Sequence, residues 1–233
     1  MALRDVWAKM VWSRALFFLF ALTVWWTASI FLVPLTIAPG TFAFTEGRAN
    51  VVDHWDLYAG PEFNWYAKVI YTLGDAECHQ LWYRSLWVNG NQMPVDARDT
   101  SLFLFGTFGL FWAMMTPASA FVGRGIANAF PPRVRRWAER IGPTGFSLLV
   151  VALGVLPVAL DGFTQLLTPY ESTNGMRVAT GVPGGLVVGL LVGMMIKAVR
   201  LVSLDARALR AATEAPEPTR SAGGGSPPRP PGS

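Results

Sequence analysis

"VATGVPGGLVVGLLVGMMIKAV", residues 178–199, has no charged side chain before Lys197 and sets a glycine at every fourth position: Gly181, Gly185, Gly189 and Gly193. An apolar stretch of roughly 20 residues suffices for a helix to cross a bilayer. At 3.6 residues per turn the four glycines fall on one face, a strip of bare backbone that lets a second helix approach closely. That strip serves either as a homo-oligomer seam or as packing inside the same bundle.

Three further stretches read the same way, at about 15–38, 101–122 and 146–167. The chain is 52% hydrophobic and only 15% charged, too oily for an ordinary water-soluble domain. Its 10 Trp and 15 Phe suit interfacial anchors. The first stretch is longer than the apolar core of a signal peptide and reads as a retained anchor. Pro117 and Pro157 predict kinks, and Asp161 makes the third span the least regular. The fold class expected is all-α: a polytopic membrane helical bundle of about four transmembrane helices, with the bilayer as its partner.

Charge sets the orientation. Arg4, Lys9 and Arg14 precede the first span; Arg124, Arg133, Arg135, Arg136 and Arg140 lie between the second and third; Arg200, Arg207 and Arg210 follow the fourth. The 39–100 loop carries Arg48, Lys68, Arg84 and Arg98 against Glu46, Asp53, Asp56, Glu62, Asp75, Glu77, Asp96 and Asp99. The positive-inside rule then predicts a multi-pass protein of the cytoplasmic (inner) membrane with both termini cytoplasmic. The arginines flank apolar spans, so they read as topology signals and not as a nucleic-acid surface. Trp55, Tyr58, Phe63, Trp65, Tyr66 and Tyr71 make the long loop aromatic-rich, predicting an extracytoplasmic cap with one or two short helices. Residues 1–211 form the integral membrane domain. From Ala212 the chain is Pro/Gly/Ser-rich and is expected to be disordered.

This topology gathers the unusual polar residues on one side. "CHQLWYRSLWVNGNQMPVDARDT", residues 78–100, lies in the outer loop, and "DGFTQ" and "ESTNGMR" lie at the outer end of the third span and just beyond it. Cys78 is the only cysteine, which excludes an internal disulfide. Cys78, His79, Asp96 and Asp99 offer a thiolate, an imidazole and two carboxylates, a mixture a divalent metal accepts, zinc first. Asp161 is a candidate general base, and Arg98 a stabiliser of developing negative charge. Arg84, Gln165, Asn174 and Arg177 are candidate substrate contacts, the arginines suited to an anionic group such as a lipid phosphate. Each has a structural alternative: Asp99 as the N-cap of the second span, Asp96 paired with an arginine, Arg177 paired with Glu171, Cys78 as a small buried side chain. His54, between Asp53 and Asp56, ranks below His79.

"CHQ", "NQMPVDARDT" and "DGFTQLL…ESTNGMRVATG" together resemble a family of small prokaryotic multi-span membrane proteins of unknown function, marked by CHQ, MPV-x-AR and DG-x-TQ motifs between Cys78 and Gly185. The resemblance implies several spans and no activity. It also implies Cys-Ala-Arg-Cys where this chain reads Asp96-Ala97-Arg98-Asp99, so two cysteines of a Cys/His/Cys/Cys set are carboxylates here. Carboxylates are harder ligands and also suit manganese or magnesium. Two functions remain in play. One is metal-assisted hydrolysis or group transfer on a lipid-type substrate. The other is a non-catalytic accessory or assembly subunit whose polar cluster is a structural network.

Overall fold

The glycine strip is filled from within the chain. In the computed structural model, which describes residues 3–48 and 50–214, Gly185 and Gly189 pack directly on the helix Ala97–Met115. A methyl group on Gly185 would lie 2.6 Å from the Leu102 carbonyl oxygen, and one on Gly189 would run into the Gly106 carbonyl oxygen. Gly181 meets Ser101 and Gly193 meets Ala113 in the same way. The absent side chains let the two backbones touch.

In chain order the helices are α1 (Leu3–Val11), α2 (Arg14–Leu32), α3 (Trp55–Ala59), α4 (Trp65–Glu77), α5 (Ala97–Met115), α6 (Val122–Asn128), α7 (Pro132–Ile141), α8 (Pro143–Leu167) and α9 (Asn174–Glu214). Between α4 and α5 stand two short strands, β1 (Ser85–Val88) and β2 (Asn91–Asp96), paired antiparallel. The molecule is mostly helical, with this hairpin added to the all-helical expectation. Asn89 and Gly90 both take positive φ, the backbone that a two-residue hairpin turn demands.

Among the described residues, three helices are long and apolar enough to cross a membrane: Arg14–Thr36, Pro143–Leu167 and Asn174–Glu214. Four were expected. The second expected stretch forms α5, which runs from Ala97 to Met115 rather than 101–122 and opens with Arg98 and Asp99, so its apolar run is shorter. It ends before Pro117, whose ring disfavours helix at Thr116, so that proline stops a helix instead of kinking one. Lys197, 4% exposed, closes the end: its ammonium donates to the carbonyls of Ala113, Met114 and Thr116. Pro157, by contrast, lies inside a continuous α8, and Asp161–Gly162 does not break it.

α8 packs its Gly154 against Val187 of α9, and α2 joins α5 through a Thr27–Thr107 hydroxyl pair at 3.2 Å. α9 begins four residues before the expected 178 and continues to Glu214, so Ala212–Glu214 are helical; the rest of the Pro/Gly/Ser-rich tail, 215–233, lies outside the described residues.

The segment between α2 and α5 packs around Phe44, Tyr58, Phe63, Ile70 and Tyr71. Buried amides tie it together. Gln80 donates to the carbonyls of Tyr71 and Pro94 and accepts from the Tyr58 hydroxyl; Gln92 accepts from Phe44 N and donates to Gln80 O. Asn91 donates to Pro34 O and Ala38 O and accepts from Thr41 N. Most of these bonds satisfy loop backbone groups that have no ladder or helix to pair with, while those to Tyr71 and Pro94 tie α4 to β2.

Candidate functional site

The β2–α5 junction, the end of α8 and the start of α9 meet at one end of the bundle, where three arginines meet three carboxylates. Asp96 is the N-cap of α5: its Oδ1 accepts from Asp99 N at 2.8 Å, placing Asp99 inside the first turn. The other oxygen, Oδ2, accepts from Arg177 Nη1 at 2.9 Å. Arg177 is 1% exposed. Its Nη2 donates to Glu171 Oε1 at 2.8 Å and Gln165 Oε1 at 3.0 Å, and its Nε to the Ser172 carbonyl at 3.2 Å. One guanidinium thus joins residues 81 positions apart, where a buried charge demands partners in every direction.

Arg98 pairs with Asp161, which also accepts from the hydroxyls of Ser172 (2.9 Å) and Tyr170 (3.3 Å). Asp161 and Gln165, four apart on α8, present one face to both Arg98 and Arg177. Arg84 pairs with Glu171 at 2.8 Å, and Asn174 donates to the Ser85 carbonyl at 3.1 Å. Burial alone would raise the Glu171 carboxyl, but the hydrogen bond and charge of Arg84, with the charge of Arg177, outweigh it and hold Glu171 below its ordinary value. Among the described residues, Arg84 Nε, Arg98 Nε and Asn174 Oδ1 are buried without a hydrogen-bond partner.

Cys78, Asp96 and Asp99 come together, with one ligand atom from each within 4.8 Å of the others. Cys78 caps α4 in extended backbone, so it points inward while His79 is exposed. Burial, then the charges of Asp96 and Asp99, push the Cys78 thiol well above its usual range. As a closed zinc site the set is one ligand short of tetrahedral, and Asp96 already serves Arg177. As an open site, a water or substrate atom fills the fourth position.

A second group joins Asp53, His54 and Asp75. Asp75, 0% exposed, accepts from the backbone of Asp53 and His54 and faces His54 Nδ1 at 2.9 Å; His54 Nε2 lies 2.6 Å from the Glu46 carbonyl. Both ring nitrogens are therefore engaged by protein acceptors, and a metal there would have to displace one. Asp75, Gln80, Ser172 and Tyr170 carry no motif of their own and take their roles from the fold; the Asn89-Gly90 turn fixes only the strand carrying Asp96.

The family described as "Predicted membrane protein (DUF2085)" matches residues 78–191. An uncharacterised protein of Methanothermobacter thermautotrophicus is 30% identical over 115 residues, 49% of this chain and 82% of that one. Another, from Methanocaldococcus jannaschii, is 25% identical over 134 residues, 56% of this chain and 72% of its own length. No solved structure matches.

Proposed function

This chain belongs to the DUF2085 family of predicted membrane proteins, and on that footing we propose that it is a four-span accessory or assembly subunit whose polar cluster locks an outer cap onto the bundle. The observation that carries this reading is Arg177: nearly fully buried, it is bonded at once to the cap's Asp96, to Glu171 and to Gln165. Asp161 has its acceptor positions taken by Arg98, Ser172 and Tyr170, the engagement of a structural carboxylate. In this reading α5, enclosed between α2 and α9, is the fourth span. Charge asymmetry supports cytoplasmic termini and an outward-facing cap in the inner membrane.

A second reading is favoured by one observation, the 4.8 Å convergence of Cys78, Asp96 and Asp99. Here these residues hold a divalent metal, zinc first, which when bound would activate water or polarise a phosphoryl oxygen of a lipid-type substrate. Arg84, Arg98 and Arg177 then supply positive charge beside it.

Elemental analysis separates the two. The lock predicts that purified protein carries metal well below one ion per chain, and that a chelator leaves its thermal midpoint unchanged. One zinc per chain, lost in Cys78→Ser, would overturn the lock in favour of the metal centre. Orientation has its own test. A Cys78→Ser/His79→Cys chain places a thiol at an exposed position. It should react with an impermeant maleimide added outside intact cells; reaction only after lysis reverses the topology.

A further inference from the structure

α9 is 41 residues long, about 60 Å, twice what a bilayer core requires. Lys197 and Arg200 mark the end of its apolar run, and every residue from Val202 to Glu214 is exposed. The helix therefore runs on past the bundle, and most helical stability comes from packing an apolar face. One stripe follows it along that course: Val188, Val192, Met195, Val199, Val202, Ala206 and Leu209, at spacings that alternate between four and three. Val192 is half-buried and the other six are exposed, Val199 by 70% and Leu209 by 69%. The stripe lies about 100° round the helix from the glycine strip, so α5 does not cover it. Within the bilayer an exposed valine needs no partner, since lipid tails are equally apolar. Lipid does not account for the rest of the pattern. The stripe holds a period of 3.5 from 188 to 209, and it continues beyond Arg200 among charged residues. That period is the seam of a left-handed coiled coil.

The seam also sets a register. With Val192, Val199 and Ala206 at a, and Val188, Met195, Val202 and Leu209 at d, Asp205 falls at g and Arg210 at the following e. In a parallel two-stranded coil, g of one helix faces that e of the other, and opposite charges there fix partner and orientation. Among the described residues neither Asp205 nor Arg210 has an ion-pair partner. Two copies inserted in one membrane share a topology, so their α9 helices run parallel. Asp205 of each copy then meets Arg210 of the other, twice per pair. We propose that α9 binds α9 of a second copy of this chain as a parallel, in-register coiled coil from Val188 to Leu209, on a two-fold axis along the membrane normal. The inference depends neither on the role of the arginine–carboxylate network nor on which side this end faces.

Cysteine cross-linking of the full chain in native membranes tests it, in a Cys78→Ser background. Ala206→Cys, at a, should join two copies by a disulfide on mild oxidation. Ala208→Cys, at c on the far side of the helix, should do so about tenfold more slowly, because its Cβ atoms point apart. Both positions are exposed, so neither variant disturbs the bundle. Charge reversal tests the register. Asp205→Arg or Arg210→Asp alone should slow the Ala206→Cys cross-link about tenfold, since two attractions become two repulsions, and the double reversal should restore it. Equal rates at the two cysteine positions overturn the seam. A product whose mass is not twice that of the chain overturns a second copy as the occupant. Single reversals without effect, or a double variant no faster than the singles, overturn the parallel register.

Discussion

Arg177→Gln is expected to lower the stability of the detergent-solubilised protein by about 3–5 kcal/mol, the size of the loss when one partner of a buried ion pair is removed. The magnitude follows from what stays behind: Asp96 keeps a helix cap but loses its cation, and Glu171 keeps one cation, Arg84, and the Gln165 amide. Arg177→Lys should not rescue it, since one ammonium cannot span Asp96, Glu171, Gln165 and the Ser172 carbonyl. Acid titration of the thermal midpoint is a second readout. Glu171 titrates below its ordinary 4.5 in the folded chain, so its contribution is fully present above that pH and is lost as pH falls through the depressed value. The Glu171 contribution should therefore be flat near neutrality and fall below about pH 4.5. The Arg177→Gln slope should be shallower, because one of the two cations responsible is gone. Parallel acid curves would detach Glu171 from Arg177.

Gly189→Ala should destabilise by about 1–3 kcal/mol, and Gly189→Leu should prevent accumulation of the folded protein. The added carbon runs into the Gly106 carbonyl and sits 2.9 Å from Leu110 N, and backbone cannot rotate aside as a side chain can. Helix propensity works the other way by roughly 1 kcal/mol, so the expected loss is what survives that gain. Gly145→Ala on α8 is the control: a methyl there meets nothing within 4 Å and should be neutral or stabilising. If Gly189→Ala raises the midpoint as the control does, α5 and α9 are not in backbone contact.

The glycine period was legible because a four-residue repeat on a helix has one geometric meaning, although the partner on that face was not; it is α5 of the same chain. The convergence of Asp96, Arg98, Asp161, Gln165 and Arg177 was legible from charge asymmetry, since helices that cross in alternate directions must return their ends to common levels. The pairings were not legible, because direction along a helix says nothing about azimuth. Cys78 and His79 are adjacent in sequence, yet extended backbone turns successive side chains apart, leaving one buried and the other exposed. The hairpin was hidden by a reading tuned to apolar length: Asn89-Gly90 is a strong turn signal, and the strand after it contains buried Asn91 and Gln92, which obscure any apolar alternation.

The 81-residue separation between Asp96 and Arg177 also has a consequence in time. During synthesis Asp96 leaves the ribosome first, and at about 5–20 residues per second its guanidinium partner follows roughly 4–16 s later. Over that interval α5 has its acids in place with Arg177 not yet made, and its glycines have no α9 to receive them. A nascent chain stalled before Arg177 would thus present an unmatched carboxylate beside bare helix backbone, the kind of surface on which a membrane insertase or a quality-control protease acts.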